Sequence, residues 1–167
     1  LNEAASYHVT GQEMARREAE HGDASPSWMV FDYRYRHLFP MGPVYPLIPD
    51  WAQNGMVRTV LKKARTIPEL AARMGIDPDA LTATINRFNA FAANGEDPDF
   101  QRGQATYDKM YGDPRHGPNP CLRPLDVAPF YALPIYPGDI GTNGGLTTNA
   151  KAQVTRPDGS AIPGLYA

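Results

Sequence analysis

Four histidines are the first candidates for metal binding or acid–base chemistry in this chain of 167 residues: His8, His21, His37 and His116. None of them stands four residues from another histidine, or from a carboxylate, in a pattern typical of zinc or di-iron sites. The sequence also contains no nucleophile elbow (G-x-S-x-G), no phosphate-binding loop and no G-x-G-x-x-G dinucleotide fingerprint. We therefore predict no metal site.

One cysteine and nine tyrosines are the other side chains that could act as nucleophiles or bases. Cys121 lies among prolines and is interpreted as a small buried apolar residue. A single cysteine excludes an internal disulfide and fits a reducing compartment. A free tyrosine phenol has a pKa of about 10 and is protonated at neutral pH. It can act as a base only where neighbouring groups favour the phenolate. The residues alone do not indicate which tyrosine has such neighbours.

The composition predicts an ordinary globular domain. Apolar residues make up 42% of the chain, which excludes a disordered tail, and no run of 18 apolar residues could span a membrane. With 16 basic and 18 acidic residues the net charge is −2, which gives no electrostatic case for nucleic acid or anionic lipid. The basic side chains of Arg58, Lys62, Lys63 and Arg65 are interpreted as a solvated helix or loop face, because no aromatic residues alternate with them.

Three helices are predicted to position the candidate residues. A capping box at Thr10 and Glu13 indicates a helix from Thr10 to about His21, closed by Gly22. A second capping box at Thr66 begins a helix that ends at Gly75. The third helix begins after Asp77, with proline in its first position, and buries one apolar face. That face comprises Leu81, Ile85, Phe88 and Ala92, and Gly95 closes the helix.

Strands and a long loop complete the predicted architecture, a helical lobe followed by a small β segment. Residues 28–31 and 130–135 are predicted strands, and residues 146–148 and 153–155 a ribbon. Residues 156–159 should turn into a terminal strand, and residues 142–145 should form a tight backbone passage. Prolines at 40, 43, 46 and 49 predict an extended loop, a kind of segment that is usually functional at that length. The fold class is therefore α+β.

The two ends of the chain suggest a piece of a longer protein. The sequence opens at Leu1 without a methionine or a signal peptide, and it stops inside the apolar segment 162–167. Natural domains seldom end on an uncovered apolar strand.

An ordered set of short motifs runs through nearly the whole chain. It comprises Leu1-Asn2-Glu3, Trp28-Met29-Val30-Phe31-Asp32, Arg34-Tyr35-Arg36, Thr66-Ile67-Pro68-Glu69-Leu70-Ala71, Asp77-Pro78-Asp79-Ala80-Leu81, Phe88-Asn89, Asp99-Phe100, Arg102-Gly103, Tyr107-Asp108, Pro129-Phe130-Tyr131-Ala132, Pro137-Gly138-Asp139-Ile140-Gly141-Thr142-Asn143-Gly144-Gly145-Leu146, Asp158-Gly159 and Ile162-Pro163-Gly164-Leu165-Tyr166-Ala167. In order and spacing, the set resembles the flavoprotein family of 3-ketosteroid Δ1-dehydrogenases, within the broader fumarate reductase-like group.

The resemblance implies a domain organisation and a cofactor. In such proteins a cap-like catalytic domain is inserted into an FAD-binding domain. Residues 1–142 would then be part of the catalytic domain, and residues 143–167 would begin the return into the FAD-binding domain. FAD is the implied cofactor, held mostly by regions outside this chain.

The resemblance also implies site residues. Four residues after the Asn-Glu of the opening motif, the family places a tyrosine that takes a proton from carbon 2 of the steroid A ring, and here that residue is Tyr7. Fumarate reductases have an arginine there and a histidine at the position of Gly141, so this chain lacks the charges that would bind a dicarboxylate. The implied substrate-binding residues are Met41, Gly42, Val44 and Leu47, and the implied flavin contacts are Gly144 and Gly145.

The implied activity is an FAD-dependent introduction of a 1,2 double bond into the A ring of 3-ketosteroids. Tyr7 would abstract the proton and the flavin would take the hydride, with an external electron acceptor completing the cycle. Two alternatives stay open: a dehydrogenase or reductase of another cyclic ketone or a Δ4-(5α)-ketosteroid, and an isolated structural domain without activity. The implied location is cytoplasmic, with or without peripheral membrane association.

Overall fold

A computed structural model describes residues 1–22, 25–138, 141 and 144–167 of the chain. These residues form two compact units, Leu1–Pro137 and Gly138–Ala167. The helices of the first unit are α1 (Tyr7–His21), α2 (Tyr33–Leu38), α3 (Gly55–Val60), α4 (Ile67–Met74), α5 (Pro78–Asn94) and α6 (Thr106–Tyr111), with a 3-10 helix at Asp50–Ala52. Its strands are β1 (Ser27–Phe31), β2 (Lys62–Ala64) and β3 (Phe130–Ile135), and the second unit holds β4 (Gln153–Thr155) and β5 (Ala161–Tyr166). The predicted mixture of helices and strands is confirmed.

An antiparallel sheet of order β1-β3-β2 organises the first unit. Successive side chains of the central strand β3 point to opposite faces. Phe130 and Ala132 pack into a core formed with α4 and α5, whereas Tyr131 and Leu133 pack into a second core with Phe31 and residues of the proline-rich segment. The sheet is therefore covered on both sides.

Helices α4 and α5 begin and end where the sequence predicts. The Thr66 side chain accepts a hydrogen bond from the Glu69 amide at 3.3 Å, and Asp77 caps α5, accepting from the amides of Asp79 and Ala80. Gly75 and Gly95 end the two helices in the left-handed conformation. On α5, Leu81, Ile85 and Ala92 are buried as predicted, while Phe88 is half-buried.

The predicted start of α1 is wrong by one turn. The helix begins at Tyr7, with Ser6 as its N-cap, and its predicted end at His21 and Gly22 is confirmed. The Thr10 hydroxyl does not cap the helix but donates to the backbone oxygen of Asn2 at 3.5 Å. Because the chain already forms a turn at residues 2–5, the helix begins before Thr10. Thr10 therefore lies inside the helix.

Lys62 and Lys63 belong to the edge strand β2, so the prediction of a helix or loop face there is wrong. They pair with Ala132 and Tyr131 of β3, residues that local sequence patterns could not connect with them.

In the second unit, the predicted ribbon is confirmed in part, since Thr148 forms a bridge with Val154 and the Thr155 amide donates to the Thr147 oxygen at 2.8 Å. Strand β4 also pairs with β5. The turn at residues 156–159 is confirmed, since the Gly159 amide donates to the Arg156 oxygen at 2.9 Å. Most of β5 is exposed. The predicted backbone passage at residues 142–145 and the domain boundary after residue 142 fall partly on Thr142 and Asn143, which lie outside the described residues.

Candidate active site

Tyr7 is the first residue of α1, and its side chain is 81% exposed. The preceding residue, Ser6, accepts a hydrogen bond from the Val9 amide at 3.4 Å, which fixes the direction in which the helix starts. A phenol at the exposed beginning of a helix is accessible to a molecule that docks there. The backbone before Tyr7, rather than packing around its ring, therefore determines where the phenol lies.

The segment before Tyr7 is bound to a distant loop by Arg102. The Arg102 guanidinium donates to a Glu3 carboxylate oxygen at 2.8 Å, to the Leu1 backbone oxygen at 2.6 Å and to an Asp97 carboxylate oxygen at 2.5 Å. Asn2 adds a fourth contact, from its side-chain amide to the Phe100 oxygen at 3.3 Å. Arg102 and the Asp97 side chain are buried, whereas Glu3 is half-exposed.

Two further tyrosines lie on α6, and the phenol of Tyr7 acts electrostatically on one of them, Tyr107. The rings of Tyr107 and Tyr111, one turn apart on α6, lie 5.3 Å from centroid to centroid. The pKa of Tyr107 lies above its ordinary value. Desolvation is the largest cause, followed by the neighbouring phenol of Tyr111 and then by that of Tyr7. Neither tyrosine was predicted to be a site residue, although Tyr107 belongs to one of the shared motifs. The sequence feature that could have identified them is their spacing of four residues, which places both rings on one face of a helix.

Two hydrogen bonds to Asp108 position α6. The Asp108 carboxylate is buried and accepts a hydrogen bond from the Gly103 amide at 3.0 Å. The Cys121 thiol donates to the Asp108 backbone oxygen at 3.2 Å. Burial and then the charge of Asp108 raise the pKa of this thiol. Cys121 is half-buried, so the prediction that it is a buried residue is met only in part.

The four implied substrate-binding residues are placed differently in the proline-rich segment. Met41 and Val44 are buried in the second core and exchange two backbone hydrogen bonds of 2.9 Å. Gly42 turns between them with a φ of 52°. Leu47 is 80% exposed and takes a φ of 64°, which is unusual for a large apolar residue. Of the three side chains, only that of Leu47 is presented at the surface.

Buried polar side chains hold the backbone beside Leu47. Arg36 and Gln53 both donate to the backbone oxygens of Tyr45 and Ile48, at distances of 2.7 to 2.9 Å. Tyr45 itself is 59% exposed. The backbone of the segment is thus held in place while the side chains of Leu47 and Tyr45 face outward.

Two open cavities lie in the first unit, and Tyr7 lines neither of them. One, of about 460 Å³, is lined by Trp28, Val60, Met74 and Tyr136 among others. The other, of about 480 Å³, lies beside Arg102 and Asn119. Among the described residues there is no group of three or more histidine, cysteine or acidic side chains that could hold a metal ion. No helix in the described part of the chain is both long and apolar enough to cross a membrane.

Comparison with known proteins identifies the family. The model of the family described as "FAD binding domain" matches residues 1–167. The chain belongs to this FAD-binding family. Its sequence is 42% identical over 166 residues to a 3-oxosteroid 1-dehydrogenase of Mycobacterium tuberculosis, covering 98% of this chain and 29% of the relative. The chain thus spans less than a third of that relative, and the resemblance predicted from the sequence is confirmed.

Two other relatives of the chain extend the comparison. A 4-oxocyclohexanecarboxylate 2-dehydrogenase of Sinomonas cyclohexanicum is 53% identical over 144 residues, 86% of this chain and 24% of that protein. The crystal structure of the 3-ketosteroid Δ1-dehydrogenase of Sterolibacterium denitrificans, in complex with 1,4-androstadiene-3,17-dione, superposes with a TM-score of 0.87 at 36% identity. This match covers 99% of the chain and 30% of the crystallised protein.

The described residues supply little of an FAD cradle. A Cβ added to Gly144 or Gly145 would meet no atom within 4 Å, so the backbone there leaves room for a flat ring. An exposed turn leaves the same room, and the assignment of the pair to the flavin stays a prediction. No helix in the described ranges follows a glycine-rich loop of the kind that binds the pyrophosphate of a dinucleotide.

Proposed function

We propose that the chain is part of an FAD-dependent oxidoreductase that introduces a 1,2 double bond into the A ring of 3-ketosteroids. The observation that carries this proposal is the superposition, over 99% of the chain, on a Δ1-dehydrogenase whose crystal structure contains an androstadiene-dione. The identity of 42% with a 3-oxosteroid 1-dehydrogenase supports it independently.

Tyr7 is proposed to act as the base. A ring ketone acidifies the hydrogen on the neighbouring carbon, so a phenolate can remove it as a proton. The second hydrogen leaves the adjacent carbon as a hydride, and the new double bond forms between the two carbons. Bound FAD would supply the hydride acceptor for this reaction, and an external electron acceptor would complete the cycle. The exposed phenol of Tyr7 leaves its oxygen accessible to a docked ring.

The surface beside Leu47 supports an apolar substrate. Leu47 and Tyr45 present exposed apolar side chains from a backbone that Arg36 and Gln53 hold in place. We propose that Leu47 and Gly42 contribute to the steroid-binding surface, while Met41 and Val44 support that surface from the core. We also propose a cytoplasmic location for the protein.

A second candidate is the dehydrogenation of a smaller cyclic ketone. The identity of 53% with a 4-oxocyclohexanecarboxylate 2-dehydrogenase favours it, and that reaction also removes hydrogen beside a ring ketone. The two substrates differ in one decisive property, because the smaller one carries a carboxylate that needs a cationic partner. Arg102, whose guanidinium contacts the segment before Tyr7, is already paired with the carboxylates of Glu3 and Asp97.

The experiment that separates the two candidates compares both substrates on the complete, FAD-loaded protein. A 3-ketosteroid with a saturated C1–C2 bond and 4-oxocyclohexanecarboxylate are each supplied with an artificial electron acceptor. We expect the steroid to lose two hydrogens, detected by mass spectrometry, with the higher kcat/KM. Turnover of the small acid alone would overturn the steroid assignment and support the second candidate.

A further inference from the structure

Arg102 joins two segments that lie about a hundred residues apart in the sequence. Its guanidinium contacts Glu3 and the Leu1 oxygen on one side, and Asp97 on the other. Planar guanidinium groups suit such multiple contacts because their donors point in fixed directions. A lysine has one ammonium group and cannot reproduce this geometry.

Asp97 fixes Arg102 from the loop side. One oxygen of the buried Asp97 carboxylate accepts from the amides of Asp99 and Phe100, and the other from Arg102. The guanidinium also lies over the rings of Phe100 and Phe88, at 4.8 and 5.6 Å from their centroids. Burial alone would lower the pKa of Arg102, but Glu3 and Asp97 raise it above its ordinary value. The charge is thus held in place on every side.

The chain between this anchor and Tyr7 is short and hydrogen-bonded. The Ala4 amide donates to the Asn2 side chain at 3.0 Å, and the Ala5 amide donates to the Asn2 backbone oxygen at 3.3 Å. Ser6 then caps α1 and Tyr7 follows it. A displacement of Glu3 is therefore transmitted through this turn to the start of α1.

The contacts of Arg102 exceed what its own loop requires. Asp97 alone neutralises the guanidinium, and it organises the amides of residues 99, 100 and 102. The additional bonds to Glu3 and Leu1 reach outside that loop and hold the segment that leads to Tyr7. The Tyr7 ring, being 81% exposed, has little packing of its own to replace them.

We propose that Arg102 is a positioning residue, which holds the phenol of Tyr7 in place for proton abstraction through Glu3 and the turn at residues 2–5. The proposal deepens the proposed function and rests on Tyr7 being the base. Arg102 itself touches neither the substrate nor the reacting atoms. Its contribution is to the geometry of the base, and geometry of this kind affects kcat more than KM.

Three variants of the complete, FAD-loaded protein test the proposal kinetically. In Arg102→Lys and Glu3→Ala we expect kcat to fall roughly 10- to 100-fold with KM unchanged, because small displacements of a reacting group have costs of that size. Glu3→Gln keeps an acceptor for the guanidinium and should recover most of the rate. Arg87→Lys is the matched control, since the exposed side chain of Arg87, on α5, forms a salt bridge with Asp99.

A spectroscopic measurement reports on the position of the Tyr7 ring separately from the stability of the variants and from the role of Tyr7 as the base. Fluorotyrosine at position 7 should give a ¹⁹F resonance that shifts or broadens in Arg102→Lys and Glu3→Ala, while fluorotyrosine at the buried Tyr131 gives an unchanged signal. If Tyr7→Phe retained full turnover, the proposed function would fail, and the Tyr7 resonance would still show whether Arg102 positions the ring. Folded variants with unchanged kcat and an unchanged Tyr7 resonance would overturn the proposal. If Arg102→Lys does not fold, the half-exposed Glu3 makes Glu3→Ala the deciding variant.

Discussion

Asn119 lies directly against Gly103, so close that a Cβ on Gly103 would come within 2.2 Å of the Asn119 side-chain oxygen. The Asn119 amide donates to the backbone oxygens of Arg102, at 2.9 Å, and Gly95, at 3.1 Å. Its oxygen accepts from the Cys121 amide at 2.9 Å. One side chain thus joins the loop after Arg102 to the end of α5 and to residues 119–121, and it requires a glycine beneath it.

Gly103→Ala should destabilise the fold. The φ of Gly103 is 79°, a conformation that strains any residue with a Cβ, and the added carbon would displace Asn119 from its hydrogen bonds. We expect a loss of about 2–4 kcal/mol in the free energy of unfolding, measured by urea denaturation. Gly11→Ala is the matched control, because Gly11 lies inside α1 with no atom within 4 Å of the added carbon, and it should gain about 0.5–1 kcal/mol. Equal effects in the two variants would contradict the argument.

Stability should fall in acid partly because of Asp50. Its carboxylate accepts hydrogen bonds from Lys63 at 2.6 Å, Arg36 at 3.1 Å and the Tyr131 hydroxyl at 3.3 Å. Partial burial raises the pKa of Asp50, but Lys63 and then Arg36 outweigh burial and hold it below its ordinary value. A carboxyl whose pKa is lower in the folded state stabilises above its unfolded pKa of about 4, and this contribution disappears as the pH falls through the folded pKa.

Asp50→Asn tests this assignment. The variant should unfold at a lower temperature than the natural protein at pH 7, and the difference should shrink as the pH is lowered below about 4. Asp79→Asn, an exposed substitution in the first turn of α5, serves as the control. Parallel melting curves against pH for the natural chain and Asp50→Asn would rule out this role for Asp50.

Helices α4 and α5 could be predicted because their signals are local. Thr66 and Asp77 cap their helices through amides two or three residues away, and Gly75 and Gly95 close them. Strand β2 could not be predicted, because Lys62 and Lys63 become a strand only by pairing with β3, some seventy residues further along the chain. The start of α1 depends likewise on the turn formed by Asn2.

Some residues of the candidate site could likewise be predicted from the sequence, and others could not. Tyr7 could be selected from its position in a family motif, whereas the residues on their own did not distinguish it from eight other tyrosines. The contact between Arg102 and Glu3 spans 99 residues, so no spacing rule connects the two side chains. The burial of Met41 and Val44 could not be predicted either, because it results from the packing of the proline-rich segment against Phe31 and Tyr131.

The 167-residue chain, purified alone, should not retain flavin. Its sequence contains no glycine-rich dinucleotide loop, and Gly144 and Gly145 are exposed. After incubation with FAD and gel filtration, we expect no visible flavin absorbance in the protein fraction. The complete protein, treated identically, should elute yellow. A stoichiometric flavin band on the chain alone would show that it holds the cofactor by itself.

Tyr7→Phe in the complete protein should abolish most of the dehydrogenation while leaving steroid binding and flavin content intact. Phenylalanine keeps the volume and apolar surface of the ring but removes the oxygen that accepts the α-proton. Loss of a positioned general base costs about 10²–10⁴ in rate, and the loss should appear in kcat rather than KM. The measurement is steady-state turnover of a 3-ketosteroid, with flavin content checked by absorbance.

Whether the base is Tyr7 or a tyrosine of α6 can be tested by substitution on α6. Tyr107 and Tyr111 are phenols of the same kind, and their rings pack against each other. Tyr111→Phe, at a residue 68% exposed, removes an equivalent hydroxyl without removing the proposed base, so it should retain most of the turnover. A large loss in Tyr111→Phe together with near-normal turnover in Tyr7→Phe would transfer the role of base to α6. It would also remove the reason for Arg102 to hold the segment before α1 so firmly.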